Sequence, residues 1–298
     1  MVLTRFQAYV DELSTLHWRW PLLSLAFPTE MPYIAGILNV TPDSFSDGGR
    51  FLSTEDALAH ALHMVESGAS LIDVGGQSTR PGHEAISFDE EKERVLPILK
   101  ALRESLPEGQ ALISLDTDKA DLADLVFGLG LADILNDVSG GDVSIAKVAA
   151  RHQVPLVMMH NPKTADRGSV ESVMEDMSAM QRDYIDAGLP KTHIALDPGL
   201  GFGKDEEENL RLFRECRRLL ELGGPLYIGA SRKRFVGKAT GNPDAAKRLG
   251  GSLAVAIWAA SLGVDFLRVH DVKETKEALW MTAALKQGRF PTSPSPAS

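Results

Sequence analysis

The chain has 298 residues, of which 44% are hydrophobic and 24% charged, a balance that excludes a disordered, collagen-like or membrane-embedded polypeptide and predicts a sizeable buried core. Its net charge of −10 argues against nucleic acid or an anionic membrane as the main partner, and it means that an anionic substrate needs a local cluster of the few cations. Residues 1–30 read as an N-terminal extension: the apolar piece Pro21–Phe27 follows Asp11 and Glu12 and has no small-residue cleavage site after it, unlike a secretory signal. From there, eight short apolar runs recur about 33 residues apart, the length of one βα unit. They are Tyr33–Leu38, Leu71–Val74, Leu112–Leu115, Ile134–Leu135, Leu156–Met159, Ile194–Leu196, Leu226–Ile228 and Phe266–Val269. Helix-period segments lie between and after them at Thr54–Ser67, Phe88–Ser105, Lys119–Phe127, Val143–His152, Val170–Ala187, Asp205–Leu222, Asp244–Leu262 and Val272–Gln287. No composition break interrupts the series, so residues 31–288 predict one α/β domain, a single (β/α)8 TIM barrel, and residues 289–298 a disordered tail.

The longest nearly apolar stretch, Ser252–Val264, is too short to span a bilayer and reads as a buried helix. A lone cysteine, Cys216, can close no disulfide within the chain, which points to a reducing compartment and a cytoplasmic location.

Polar chemistry follows every apolar run: Asn39, Gly75-Gly76-Gln77, Asp116, Asn136-Asp137, His160-Asn161, Asp197-Pro198-Gly199, Ser231-Arg232-Lys233 and His270-Asp271. Asp, Asn and Ser at one such place are ordinary turn or cap residues. Eight together, with a Lys, an Arg and a His among them, fit the end of a barrel where the βα loops converge on one concave face. Two loops are long and rich in glycine and proline: Gly36–Gly49 and Gly75–Gly82, the latter with Arg80, a fixed cation suited to bidentate contact with phosphate or carboxylate. The glycines of Asp197–Lys204 do not have P-loop spacing, and no HExxH or CxxC pair offers a zinc site.

These two loops, together with Leu115-Asp116-Thr117, Ile134–Gly140, Met158-Met159-His160, Asp197–Lys204, Ser231-Arg232-Lys233 and Arg268–Val272, closely resemble the dihydropteroate synthase family, over about Gly36 to Val272 and in the right order. The resemblance implies condensation of 6-hydroxymethyl-7,8-dihydropterin pyrophosphate with 4-aminobenzoate to 7,8-dihydropteroate and pyrophosphate, with Mg2+ as cofactor and a homodimer as the assembly. It places the pterin on Asp116, Asn136, Met159, Asp197 and Lys233. It places the pyrophosphate on Asn39, Arg80, Arg268 and His270, with Asn39 also the metal ligand. The aminobenzoate is surrounded by Phe45, Thr79, Pro81, Phe202 and Lys233, with Arg234 beside it, while Asp47 stabilises the developing cation. Asp47, Arg80, Lys233, Arg268 and His270 are thereby the expected catalytic set.

Two positions depart from the family pattern: Gln77 stands where Glu is more common and Arg234 where many members have Ser. A catalytically weak pterin-binding paralogue and a pterin-dependent methyltransferase, which uses a related barrel, are the competing readings.

Overall fold

A computed structural model describes residues 31–41, 53–77, 85–107, 109–162 and 168–289. The N-terminal extension, the residues after 289 and five predicted site residues, Phe45, Asp47, Thr79, Arg80 and Pro81, lie outside the described residues.

Eight parallel strands alternate with helices in the (β/α)8 arrangement. The strands are β1 (Tyr33–Asn39), β2 (Leu71–Gly75), β3 (Leu112–Thr117), β4 (Ile134–Asp137), β5 (Leu156–Met159), β6 (Ile194–Asp197), β7 (Tyr227–Ile228) and β8 (Phe266–Val269). They pair in the order β6-β5-β4-β3-β2-β1-β8-β7, and a parallel bridge between Leu196 and Leu226 brings the two ends together. Six runs match the sequence reading within a residue at each end. Strands β3 and β4 run two residues further, because Asp116↔Asn136 and Thr117↔Asp137 stay in register before the chain turns away.

The helices are α1 (Thr54–Glu66), α2 (Phe88–Ser105), α3 (Ala120–Gly128), α4 (Val143–His152), α5 (Val170–Asp186), α6 (Glu206–Glu215), α7 (Arg234–Thr240), α8 (Leu249–Ser261) and α9 (Val272–Gln287). Polar side chains start several of them: Ser53 accepts from the Asp56 amide, Ser87 from Glu90, and Asp205 closes a capping box with Glu208. Three boundaries differ from the periodicity. The predicted helix Asp205–Leu222 is α-helical only to Glu215 and tightens into a 3-10 segment over Cys216–Leu222. The predicted Asp244–Leu262 breaks at Arg248, whose buried side chain turns back to donate to the carbonyls of Asn242, Pro243 and Arg232. The short helix α7 has no side-chain cap and was not expected.

Two shells of packing follow from the strand alternation. Outward-facing residues such as Leu38, Ile72, Leu115 and Leu135 pack against the helices. Inside the barrel each strand gives one residue to a compact plug: Ala35, Leu71, Leu112, Ile134, Val157, Ala195, Tyr227 and Phe266. The plug blocks the lower half of the barrel. Two carboxylates stitch its floor: Asp133 accepts from the Ile113 amide and Asp265 from the Leu226 amide, each at 2.8 Å, while their own amides donate to the same two residues' carbonyls. No helix among the described residues is long and apolar enough to cross a membrane. Cys216 is buried, and burial pushes its thiol up to about 12, which leaves it chemically inert.

Candidate active site

Two residues beyond the plug, the same inward alternation changes from apolar to polar. The positions reached are Asp73 on β2, Ser114 on β3, Asn136 on β4, Met159 on β5, Asp197 on β6 and Arg268 on β8. Asn39 and Asp116 continue this face at the ends of β1 and β3, and His270 follows β8. Strand geometry thus assembles at one end of the barrel what the sequence distributes over more than two hundred residues.

Charge is concentrated at the centre of this layer. The Arg268 guanidinium donates from Nε to Asp73 Oδ2 and from Nη2 to Asp116 Oδ2, both at 2.5 Å. Asn136 Nδ2 donates to the same Asp73 oxygen at 3.0 Å. Burial works against the guanidinium charge, but the two carboxylates outweigh it and hold its pKa above the ordinary value. Burial likewise raises Asp116 to about 7, against the pull of Arg268 and with help from Asp73, Glu91 and Asp118. Beyond its expected place at the pyrophosphate and in the catalytic set, Arg268 is the counter-ion of two buried carboxylates, whose charge would otherwise stand unpaired.

Asp197 is positioned by its loop. Its Oδ1 accepts from the Gly199 amide at 2.8 Å and its carbonyl from the His160 amide at 2.9 Å. Gly199, Gly201 and Gly203 all have positive φ, and a Cβ at Gly199 would overlap the His160 carbonyl, so this turn is open only to glycine. Lys204 secures the turn from behind, its Nζ on the carbonyls of Gly199, Phe202 and His160 at 3.1, 3.1 and 3.4 Å. Burial lowers the Lys204 ammonium to about 7 and raises the Asp197 carboxyl. Lys233 meets this loop from the β7 side: its Nζ donates to the Leu200 carbonyl and sits 4.7 Å from the centre of the Phe202 ring. Its pKa is pushed down to about 8 by burial, although Asp197 and Asp116 favour the charged form.

The pyrophosphate candidates divide. His270 is held at the rim by Ser231, whose Oγ lies 3.0 Å from His270 Nδ1. Between Ser231 and Lys233, Arg232 adopts φ +58° and is locked by Asp271 through Nε at 3.1 Å and Nη2 at 2.5 Å. Asn39 ends β1, half-buried and paired in register with Gly75. Arg234 does not join the layer: its side chain is 74% exposed and lies 3.4 Å from Glu206 on α6. Being the first residue of α7, it turns outward with the helix.

Gln77 shows how its departure from the family pattern is accommodated. Its Oε1 accepts from Lys119 Nζ at 2.9 Å and from the Ile86 amide at 3.1 Å, while Nε2 donates to Asp118 at 3.3 Å. A carboxylate could make the first two bonds and would repel Asp118 in the third. Asp73 lies within the run Leu71–Val74, not after it, and so is absent from the strand-end candidates. The signal was present: a carboxylate inside an apolar strand, two residues from an inward-facing leucine.

Known proteins share this fold and sequence. Residues 35–270 match the family model described as pterin binding enzyme. The dihydropteroate synthase of Synechocystis is 43% identical over 264 residues, 83% of this chain and 90% of its own length. A crystal structure of dihydropteroate synthase from Clostridium difficile, obtained in the presence of pteroic acid, superposes with a TM-score of 0.80 at 42% identity, covering 86% of this chain and 97% of that one. The Xanthomonas albilineans enzyme with 4-aminobenzoic acid gives a TM-score of 0.80 at 38% identity, covering 86% and 94%. The chain belongs to the dihydropteroate synthase family.

Proposed function

We propose that the polar end of this barrel condenses 6-hydroxymethyl-7,8-dihydropterin pyrophosphate with 4-aminobenzoate, forming 7,8-dihydropteroate and releasing pyrophosphate. The observation that carries the reading is the buried layer of Asp116, Asn136 and Asp197 beside Lys233 and Arg268. A pterin ring has an edge of ring N–H, amino and carbonyl groups, and such an edge needs fixed, desolvated acceptors with one cation near the carbonyl. Asp197 is suited to the ring N–H and exocyclic amine, Asn136 and Asp116 to the rest of the edge, Met159 to a ring face and Lys233 to the carbonyl. The named relatives, all dihydropteroate synthases, argue for the synthase over a methyltransferase.

With a net charge of −10 on the chain, an anionic substrate needs donors and positive charge gathered locally. Arg268 and His270, with Arg80 from outside the described residues, are the proposed partners of the diphosphate. Among the described residues no three His, Cys, Asp or Glu gather as a metal cage, whereas Asn39 offers a hard amide oxygen at the end of β1. That donor set suits Mg2+ held mainly by water and substrate phosphates, with Asn39 as its protein ligand. When bound, the metal would supply charge neutralisation that makes the diphosphate a better leaving group.

Departure of the diphosphate breaks the methylene C–O bond and leaves a resonance-stabilised cation; the neutral arylamine forms the C–N bond, and the acidic anilinium that results loses its proton to solvent or the released diphosphate, so no strong base is needed. Positioning is therefore the main contribution of the chain. Lys233 and Phe202, in contact with each other, form the described wall of the aminobenzoate site, which Phe45, Thr79 and Pro81 are proposed to complete. Asp47 is proposed to stabilise the cation, and Arg234 to act on the aminobenzoate carboxylate only if its side chain leaves Glu206. A homodimer in a reducing, cytoplasmic setting remains part of the proposal.

Titration calorimetry with the pterin diphosphate and Mg2+ tests this reading. Binding is expected without aminobenzoate, and aminobenzoate is expected to bind only afterwards. Acceptance by Asp116 requires its ionised form and donation by Lys233 its protonated form. Affinity should therefore rise as pH passes about 7 and fall as it passes about 8, a narrow optimum between the two groups. Affinity independent of pH between 5.5 and 9.5, or aminobenzoate binding first, would contradict the assignment.

A further inference from the structure

Asp73 is fully buried, lies at the level where the barrel interior changes from apolar to polar, and has no role in the chemistry described above. One oxygen, Oδ2, accepts from both Arg268 Nε and Asn136 Nδ2, while Oδ1 has no hydrogen-bond partner among the described residues. We propose that Asp73 is a positioning residue that fixes Arg268 and Asn136 for the pterin diphosphate without touching it, an inference that rests on the function proposed above.

Two geometric consequences support the assignment. With Asp116 alone, the guanidinium could pivot about a single Nη2 contact; the second carboxylate at Nε fixes its plane and leaves the Nη1 donors for a ligand. The amide of Asn136 is fixed in the same way. A carboxylate only accepts, so the group 3.0 Å from Asp73 must be the NH2 of Asn136, and its carbonyl oxygen is then the face left for the pterin. Asp73 thereby sets the donor and acceptor pattern of two residues that do face substrate. The cost of a carboxylate at this depth is offset by the Arg268 guanidinium and the Asn136 amide on one oxygen.

Asp73→Asn tests the proposal, because it keeps the size of the side chain while removing the charge and the restriction to acceptance. With both substrates saturating, kcat should fall by up to about 100-fold, the scale on which misplaced reacting groups cost activity. KM for aminobenzoate should stay within about twofold, since Phe202 and Lys233, the described residues of that site, make no hydrogen bond to Asp73. Made in a background carrying both Arg268→Ala and Asn136→Ala, Asp73→Asn should cost little further in kcat, because both residues through which it acts are already gone. An equal loss in both backgrounds, or a lower melting temperature with unchanged kcat, would overturn the proposal. The wild-type chain is assayed in parallel. If it does not turn over, the functional reading has failed; the same non-additivity is then sought in affinity for the pterin diphosphate, and its absence there overturns the Asp73 assignment on its own terms.

Discussion

Asp197→Ala is expected to weaken pterin binding by about 100-fold or more, on the order of 3 kcal/mol, the scale for removing hydrogen bonds to a buried charged group. The variant takes away the carboxylate proposed to meet two ring donors and leaves the Gly199 amide without its acceptor. Asp197→Asn separates these effects. Its carbonyl can still accept from Gly199, so the loop should hold, while one carboxylate oxygen is replaced by a donor that opposes the ring N–H and amine. Calorimetry should therefore show most of the loss in both variants and reduced thermal stability chiefly in the alanine. Affinity unchanged in Asp197→Asn would move the pterin edge elsewhere.

Gly199→Ala should have the largest effect on the loop itself. The position has φ +64°, and the added methyl overlaps the His160 carbonyl, which Lys204 also holds in place. Left-handed backbone costs about 1–2 kcal/mol for a residue with Cβ, and displacing a packed strand end adds more. Chemical denaturation should show a loss of about 2–4 kcal/mol, the range expected for strained backbone combined with overpacking. Pterin affinity should fall with it, since Asp197, His160 and Lys204 are all tied to this turn. Native stability together with native affinity in Gly199→Ala would show that the loop tolerates a shape the structure does not allow.

Much of this was legible before any coordinates. The period of the apolar runs located all eight strands, since strands buried on both faces must read as short continuous apolar segments. Their position just past the runs placed Asp116, Asn136 and Asp197 at one end of the barrel, and the family resemblance added Met159 and Arg268; strand alternation turns all five to the barrel interior. What was not legible depends on contacts between distant segments. Arg248 breaks the predicted Asp244–Leu262 helix by reaching the Arg232 carbonyl, and no local pattern announces that bond. Arg234 looks like a cation beside Lys233 in sequence, yet it opens a helix and faces Glu206. Asp73 is a different case: it sits inside a run whose apolar character identifies the strand, so it is absent from the strand-end residues although a lone carboxylate there marks it, and the barrel interior shows what it pairs with.

Gln77 and Arg234, the two departures from the family pattern, have different physical standing. Gln77 is built into a network in which an amide serves both Lys119 and Asp118, so the loss of a charge there is offset locally. Arg234 is an exposed ion pair, a contact worth little in water, and nothing in the structure explains why Arg stands there.

The central claim is that this barrel end performs the condensation. The most direct measurement mixes the purified chain with 6-hydroxymethyl-7,8-dihydropterin pyrophosphate, 4-aminobenzoate and Mg2+, and follows pyrophosphate release and 7,8-dihydropteroate formation in the same sample. The two products should appear in equal amounts, and both should be lost when aminobenzoate is omitted. Pyrophosphate release without dihydropteroate, or no product while both substrates are demonstrably bound, would contradict the account.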